Sequence, residues 1–487
     1  MCVMEVERPT HPGTWQRLLY PAAVAVVALS LASVNLPYGF SGDMDGHFLH
    51  AHARAFPDQV YQPSRSWGFP AYEIVLYPLV AYLGTAAAKA WSLLCYVLAS
   101  LVFFLALREA GLDQSTSFLG ALCLTVLPIA VISGNTTMET SQGLFLALLG
   151  LYLYIKFAAS RRSLYLYLAA AGLGLATSTR PDYVFFSACV ALTVLRFNRP
   201  ATRQVMLGTC MWLASAFLPF LIYPQVQLGT DVVLPDPLLQ RILRAAVGGA
   251  ALLGVPSWVL LSILLARGHG RWLMWLKEST RDSLLFLFMT SFGAYAIRFV
   301  LMPDELEYIL VLVPLLIMLA ARLGIGHASL VLLVLALAIP NVTQVHFFSR
   351  EMSGELSVAL GISPGVMWQD RSERLRLDYV EGELRELMGR VSREHGHAEY
   401  AIEPSGDPDT MVIIPEDRLR FYDPSRHGGR YHRVGCSQTI VVYPMPSSRG
   451  WRQLTKFEIW RRITLDDFRE VRLPYCEKEG AQSRTSL

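Results

Sequence analysis

The apolar residues of this 487-residue chain come in long runs and not in alternation. A helix needs about 20 apolar residues to cross the hydrocarbon core of a bilayer. Eleven stretches fit that pattern, near 18–36, 88–107, 115–133, 139–156, 163–179, 183–196, 204–223, 243–266, 282–301, 306–321 and 327–346. The sixth is short, and Pro219, Pro256 and Pro314 predict kinks. The pattern predicts a mainly α fold, a polytopic membrane bundle of about eleven spanning helices over residues 1–346. Beyond that point the pattern changes. Residues 371–394 place Leu375, Tyr379, Leu384, Leu387, Met388 and Val391 at helical spacing among Glu and Arg. The stretches 411–414, 439–443 and 457–463 read as short strands. Residues 347–487 are therefore expected to form a soluble C-terminal α+β domain.

Composition turns the pattern into a statement about solvent. Hydrophobic residues make up 53% of the chain and charged residues 17%, against roughly 45–50% and about 25% for an ordinary soluble domain. Residues 1–346 hold 21 Lys+Arg and 17 Asp+Glu, whereas the much shorter remainder holds 21 and 22. Lipid suits the first part and water the second. A formal charge of +3 with no basic block argues against a nucleic-acid partner, and so apolar a chain is not disordered.

Sorting the cations by loop sets an orientation, because short loops rich in Lys and Arg stay in the cytoplasm. Alternate loops carry Arg108; Lys156, Arg161 and Arg162; Arg196, Arg199 and Arg203; Arg267, Arg271, Lys277 and Arg281; and Arg322. With the N-terminus inside, all of these are cytoplasmic and the charged tail is extracytoplasmic. The first stretch also reads as a cleaved signal peptide ending near Ala32-Ser33, which leaves the later topology unchanged. Cys2, Cys95, Cys123, Cys189 and Cys210 fall in helices or at the inner end and read as small buried hydrophobes. Cys436 and Cys476 share the outer tail, where a disulfide between them is an open alternative to two free thiols. Lys is rare, at positions 89, 156, 277, 456 and 478 only, a bias that a GC-rich bacterial genome explains. The expected location is therefore a bacterial inner (plasma) membrane.

The remaining charges gather in the opposite loops. The first outer loop, residues 38–86, contains Gly42-Asp43-Met44-Asp45-Gly46-His47 and later Arg65, with short apolar segments at 48–56 and 71–82 that suit helices lying on the membrane surface. Glu139 opens the fourth spanning helix, and Arg180 and Asp182 lie between the fifth and sixth. Arg298 ends the ninth, followed by Asp304, Glu305 and Tyr308. Ionised groups at such positions are costly unless paired or functional. Taken singly, each also reads as a helix cap or an interfacial pair. Taken together, carboxylates and guanidinium groups from four loops suit glycosyl transfer: a carboxylate deprotonates the acceptor hydroxyl, and Arg holds the departing phosphate. Asp43 or Asp45 is the expected base, with Arg65, Arg180 and Arg298 on phosphate. His47, His50 and His52 line the same loop, as polar groove residues or, less simply, as metal ligands. No Walker loop or GxGxxG is present, so no nucleotide cofactor is expected. Asn341-Val342-Thr343 matches a glycosylation sequon but lies at a membrane edge, out of reach.

Several of these motifs together resemble the GT-C superfamily of integral-membrane glycosyltransferases. They are Asp43-Met-Asp45-Gly-His47; Ser64-Arg65-Ser-Trp-Gly68-Phe-Pro70-Ala-Tyr-Glu73; Glu139; the run from Gly174 through Arg180-Pro181-Asp182; and residues 303–308 followed by Pro314. Within the superfamily the chain is most similar to the polyprenyl-phosphate-sugar-dependent transferases, which include protein O-mannosyltransferases and lipid A aminoarabinose transferases. The resemblance covers about residues 15–346. It implies an inverting transferase with an extracytoplasmic site, a polyprenyl-phosphate-linked sugar as donor, and a lipid, glycan or protein as acceptor. It implies that Asp45, then Asp43, is the base or the carboxylate that orients substrate, and that Glu139 stands where the family has a second outer acid. No metal is implied, although Asp-x-Asp also suits a divalent cation on the donor phosphate. Competing readings are a transporter or flippase of a lipid-linked sugar, and a catalytically silent scaffold of the same fold.

Overall fold

The computed structural model describes residues 14–33, 70–83, 85–134, 137, 139–222, 242, 245, 253–267, 282–301, 309–322, 325–352, 355–364, 384–401, 410–415, 438–443 and 465–471. The chain divides into two compact units, one helical and one carrying a small sheet.

The helical unit contains α1 (Thr14–Ser33), α2 (Pro70–Leu83), α3 (Thr85–Glu109), α4 (Gln114–Thr125), α5 (Pro128–Ser133), α6 (Thr140–Ser160) and α7 (Ser163–Thr179). It continues with α8 (Tyr183–Thr193, prolonged by a π turn, Val194–Asn198), α9 (Thr202–Ile222), α10 (Val255–Arg267), α11 (Ser283–Leu301), α12 (Leu312–Arg322) and α13 (His327–Val342). Within α3, α6 and α11, the stretches Ala87–Glu109, Thr140–Ser160 and Ser283–Leu301 are long and apolar enough to cross a membrane. The outward faces of the helices confirm the solvent. On α13, Val331, Leu332, Leu335 and Ile339 are exposed one turn after another, and on α7 Leu164, Leu168 and Leu175 are exposed. Stripes of this kind, repeated from helix to helix, far exceed what water tolerates. The chain is a membrane protein.

Helix packing uses small residues. A Cβ on Gly174 of α7 would lie 2.5 Å from the Trp212 carbonyl oxygen and 2.8 Å from Ser215 Cβ of α9. The close approach of these two backbones therefore requires glycine at 174, the small-residue packing usual between membrane helices.

Four expected boundaries differ. The stretch expected as one helix at 115–133 is broken between α4 and α5, because Pro128 drives Leu127 out of the helical region, to φ −64° and ψ 122°. The break leaves carbonyls without helical donors, and side chains supply them. Tyr96 Oη donates to the Thr125 carbonyl, and Asn341 Nδ2 donates to that of Val126 at 2.7 Å. Pro256 and Pro314 mark no mid-helix kink, since both fall in the first turn of a helix, where the absent N–H has no intrahelical partner to lose. α12 begins at Leu312 and not at residue 306. The last predicted span, 327–346, ends at Val342, where Thr343, Val345, Phe347 and Phe348 favour extended chain. Strand β1 (Thr343–Met352) follows and pairs with β2 (Glu355–Pro364). Asn341 is buried, with its amide turned onto Val126, so the sequon is inaccessible. Cys95, Cys123 and Cys189 are buried as expected, whereas Cys210 is exposed on the apolar flank of α9.

The second unit carries α14 (Leu384–Glu394), β3 (Tyr400–Ala401), β4 (Met411–Pro415), β5 (Ile440–Tyr443) and β6 (Arg469–Val471). The sheet order is β3-β4-β5-β6; the first two pairings are parallel and the last antiparallel. Val412, Ile413, Ile414, Val441 and Val442 are buried in consecutive positions, as expected of central strands covered on both faces. On α14, Met388 and Val391 are buried, and Ser392 Oγ donates to the carbonyls of His397 and Glu399 where the chain turns toward β3. The expected strand at 457–463 lies outside the described residues, as do Cys2, Cys436 and Cys476.

Candidate functional site

Charges that the sequence sorted to opposite sides of the membrane collect at opposite ends of the helical unit. At one end, Arg161 Nη1 donates to the Asn198 carbonyl at 2.9 Å, Arg196 lies 4.8 Å from the Phe286 ring centre, and Arg322 pairs with Asp282 at 3.5 Å. At the other end, α6 and α8 begin and α7 and α11 finish, and there a second set of charges is buried.

Arg180 is its centre. Its Nη1 lies 3.2 Å from Glu139 Oε1 and 2.9 Å from Thr140 Oγ1, while its Nε lies 3.0 Å from Asp182 Oδ1. All three charged residues are buried, at 3%, 3% and 7% exposure for Glu139, Arg180 and Asp182. Tyr295 Oη of α11 donates to the Asp182 carbonyl at 3.1 Å, and Arg298, half-buried one turn later, is close enough to favour the charged form of Asp182.

The two acids occupy the positions just before α6 and α8, where a carboxylate would ordinarily accept from the first helical amides. Neither does so. At the opposite end, Asp113 accepts from the amides of Ser115 and Thr116, and Asp282 from those of Leu284 and Leu285. The structure thus separates capping acids from acids committed to a buried guanidinium. Withdrawing two carboxylates from capping and burying them in apolar surroundings is costly for folding, the pattern expected of groups kept for another purpose.

Burial pushes the Asp182 carboxyl up to about 6, against the pull of Arg180 and Arg298. The sign follows from linkage. The folded chain retains a proton that the unfolded chain has released, so the stability Asp182 contributes is present below about pH 4 and is lost as pH rises to about 6. The thermal midpoint of the wild type should accordingly fall relative to Asp182→Asn between pH 4 and 6 and run parallel to it above. Parallel profiles throughout would show that Asp182 titrates as an exposed acid.

Of the residues singled out in the sequence, Glu139, Arg180, Asp182 and Arg298 come together here. Asp43, Asp45, His47, Arg65, Glu305 and Tyr308 lie outside the described residues. Arg180, expected on phosphate, has its Nε and Nη1 occupied by the two acids and Thr140. Sequence reasoning missed Thr140 and Tyr295, and gave no site role to two buried charges, Glu73 in the first turn of α2, quoted only as part of a motif, and Lys89 near the start of α3. An ionisable side chain inside an apolar run was the signal that both offered. It also missed Gln142, one turn along α6 from Glu139. Gln142 Oε1 accepts from the Trp91 indole at 2.7 Å, and its Nε2 donates to the Ala71 carbonyl and Thr179 Oγ1, each at 3.1 Å. Among the described residues, no group of three or more His, Cys, Asp or Glu could hold a metal ion.

No family model matches the chain, and no curated protein matches it. Among solved structures it is similar to ArnT from Cupriavidus metallidurans bound to undecaprenyl phosphate, with 14% identity, a TM-score of 0.48, and coverage of 64% of this chain and 60% of that one. For the apo state of the same protein the identity is 16%, the TM-score 0.45 and the coverage 64% and 59%. An Archaeoglobus fulgidus oligosaccharyltransferase in complex with Zn and sulfate gives 14% identity, a TM-score of 0.36 and coverage of 66% and 48%. The chain thus spans about three fifths of ArnT. These solved proteins are of the GT-C superfamily that the sequence resembles. With TM-scores below 0.5, the activity of the chain has to be argued from its own residues.

Proposed function

We propose that this chain is an integral-membrane glycosyltransferase that moves a sugar from a polyprenyl-phosphate-linked donor to an acceptor on the extracytoplasmic face of a bacterial inner membrane. The observation that carries the reading is the Glu139–Arg180–Asp182 cluster, buried at the end of an apolar bundle with both acids withdrawn from capping. In the reaction, the acceptor oxygen attacks the anomeric carbon as a first-loop carboxylate, Asp45 or Asp43, takes its proton. The bond from that carbon to the phosphate oxygen breaks on the opposite face, and the polyprenyl phosphate leaves with the electron pair. Arg65 and Arg298 hold the departing phosphate, since a planar guanidinium makes paired charge-assisted bonds to its oxygens. Arg180 orders Glu139 and Asp182 in the buried cluster, and His47, Glu305 and Tyr308 are assigned to binding of the sugar and acceptor. The undecaprenyl phosphate of the ArnT structure is a lipid of the class proposed here.

One observation favours a transporter or flippase of a lipid-linked sugar: the helix broken at Leu127–Pro128, since broken helices often line transport pathways. Against it, Tyr96 and Asn341 take the carbonyls freed at this break. Proteoliposomes loaded with a polyprenyl-phosphate-linked sugar decide between the two. A transferase releases free polyprenyl phosphate only when acceptor is supplied, whereas movement of intact donor between leaflets without acceptor would overturn the proposal.

A further inference from the structure

Gln142 sits where four helices meet, and its bonds leave one arrangement open. An indole N–H can only donate, so the Trp91 contact requires the Gln142 oxygen to face α3. The amide nitrogen must then face the other way, and its two hydrogens go to the Ala71 carbonyl in the first turn of α2 and to Thr179 at the end of α7. Thr179 directly precedes Arg180, and the two residues that accept from Arg180 at the start of α6, Glu139 and Thr140, lie three and two positions before Gln142. The side chain is 5% exposed, and in such a dry setting hydrogen bonds hold geometry more strictly than they would in water.

We propose that Gln142 is a positioning residue: it fixes the start of α2, five residues after Arg65 in the first outer loop, against the Arg180 cluster. What that position serves rests on the transferase reading; the clamp itself rests on geometry alone. Packing between these helices needs only volume at 142, which methionine would supply. Three bonds to three different elements specify where α2 begins.

The test compares wild type, Gln142→Met, Trp91→Phe and Asn341→Leu in lipid nanodiscs. Asn341 also ties a side-chain amide to a buried carbonyl in the same unit, so its variant reports the effect of a purely structural tie. Hydrogen exchange over residues 70–80, thermal midpoint and binding of undecaprenyl phosphate are measured for each. Gln142→Met should exchange faster over 70–80 and bind the lipid about tenfold more weakly, the size of a lost hydrogen bond. Its midpoint should fall no further than that of Asn341→Leu, which should bind as wild type does. Trp91→Phe, losing only the orienting bond, should shift in the same direction by less. Unchanged exchange in Gln142→Met, or lipid binding equal to wild type, overturns the inference. A wild type that binds no undecaprenyl phosphate overturns the transferase reading, and the exchange measurement alone then decides for or against the clamp.

Discussion

Asparagine in place of Asp45 is expected to lower sugar transfer by about two to four orders of magnitude, the usual contribution of a positioned general base. The amide keeps the size of the carboxylate and its ability to accept a hydrogen bond but cannot take the acceptor proton. The loss should therefore fall on kcat, with KM for the lipid-linked donor nearly unchanged. Asp43→Asn should cost less, and the double substitution should match Asp45→Asn if the pair shares a single proton-transfer role. The two acids of the described cluster are poorer candidates for the base, because Glu139 and Asp182 both already accept from Arg180. Initial rates with purified protein and a defined polyprenyl-phosphate sugar check this. Wild-type rates in both single variants and in the double variant would exclude the first loop as the source of the base.

Leucine in place of Arg180 is expected to destabilise the helical unit by about 3–5 kcal/mol, because two buried carboxylates would lose the cation that compensates them. The same substitution at Arg322 removes a pair at 3.5 Å whose side chains are 39% and 30% exposed, and it should cost no more than about 1 kcal/mol. Neutralising the acids together with the cation, as Glu139→Gln, Arg180→Leu and Asp182→Asn, should recover most of the stability without restoring transfer. Denaturant unfolding in detergent reads the first quantity, and the transfer assay reads the second. An Arg180→Leu protein as stable as wild type would mean that the two carboxylates find other partners or water.

Much of the membrane part was legible without coordinates. The apolar stretches at 88–107, 139–156, 163–179, 204–223 and 282–301 each coincide with one helix to within a few residues. Loop charges divided correctly between the two ends of the unit, with Arg161, Arg196 and Arg322 at one and Arg180 at the other. Of the candidate site, Glu139, Arg180, Asp182 and Arg298 were found as charges stranded beside apolar runs, and the structure brings them together. What the pattern could not give was partnership. Asp113, Glu139, Asp182 and Asp282 look alike in the sequence, each an acid just before a helix. Only the tertiary structure shows that the first and last cap helices, while the middle two cap nothing and face a buried guanidinium.

The sequence by itself determined where helices run and which loops share a side, because hydrophobicity and loop charge act on each segment alone, through the solvent it meets. Tertiary structure decided which donors take the carbonyls freed at Leu127–Pro128, which acids meet Arg180, and the four-helix junction at Gln142. Each depends on which donor from a distant helix reaches a given acceptor: Asn341 for Val126, Arg180 for Glu139, Gln142 for Ala71. In a dry interior an unmade hydrogen bond is costly, so helix packing settles on the arrangement that pairs such groups. That arrangement is a property of the whole bundle and of no single stretch of its chain.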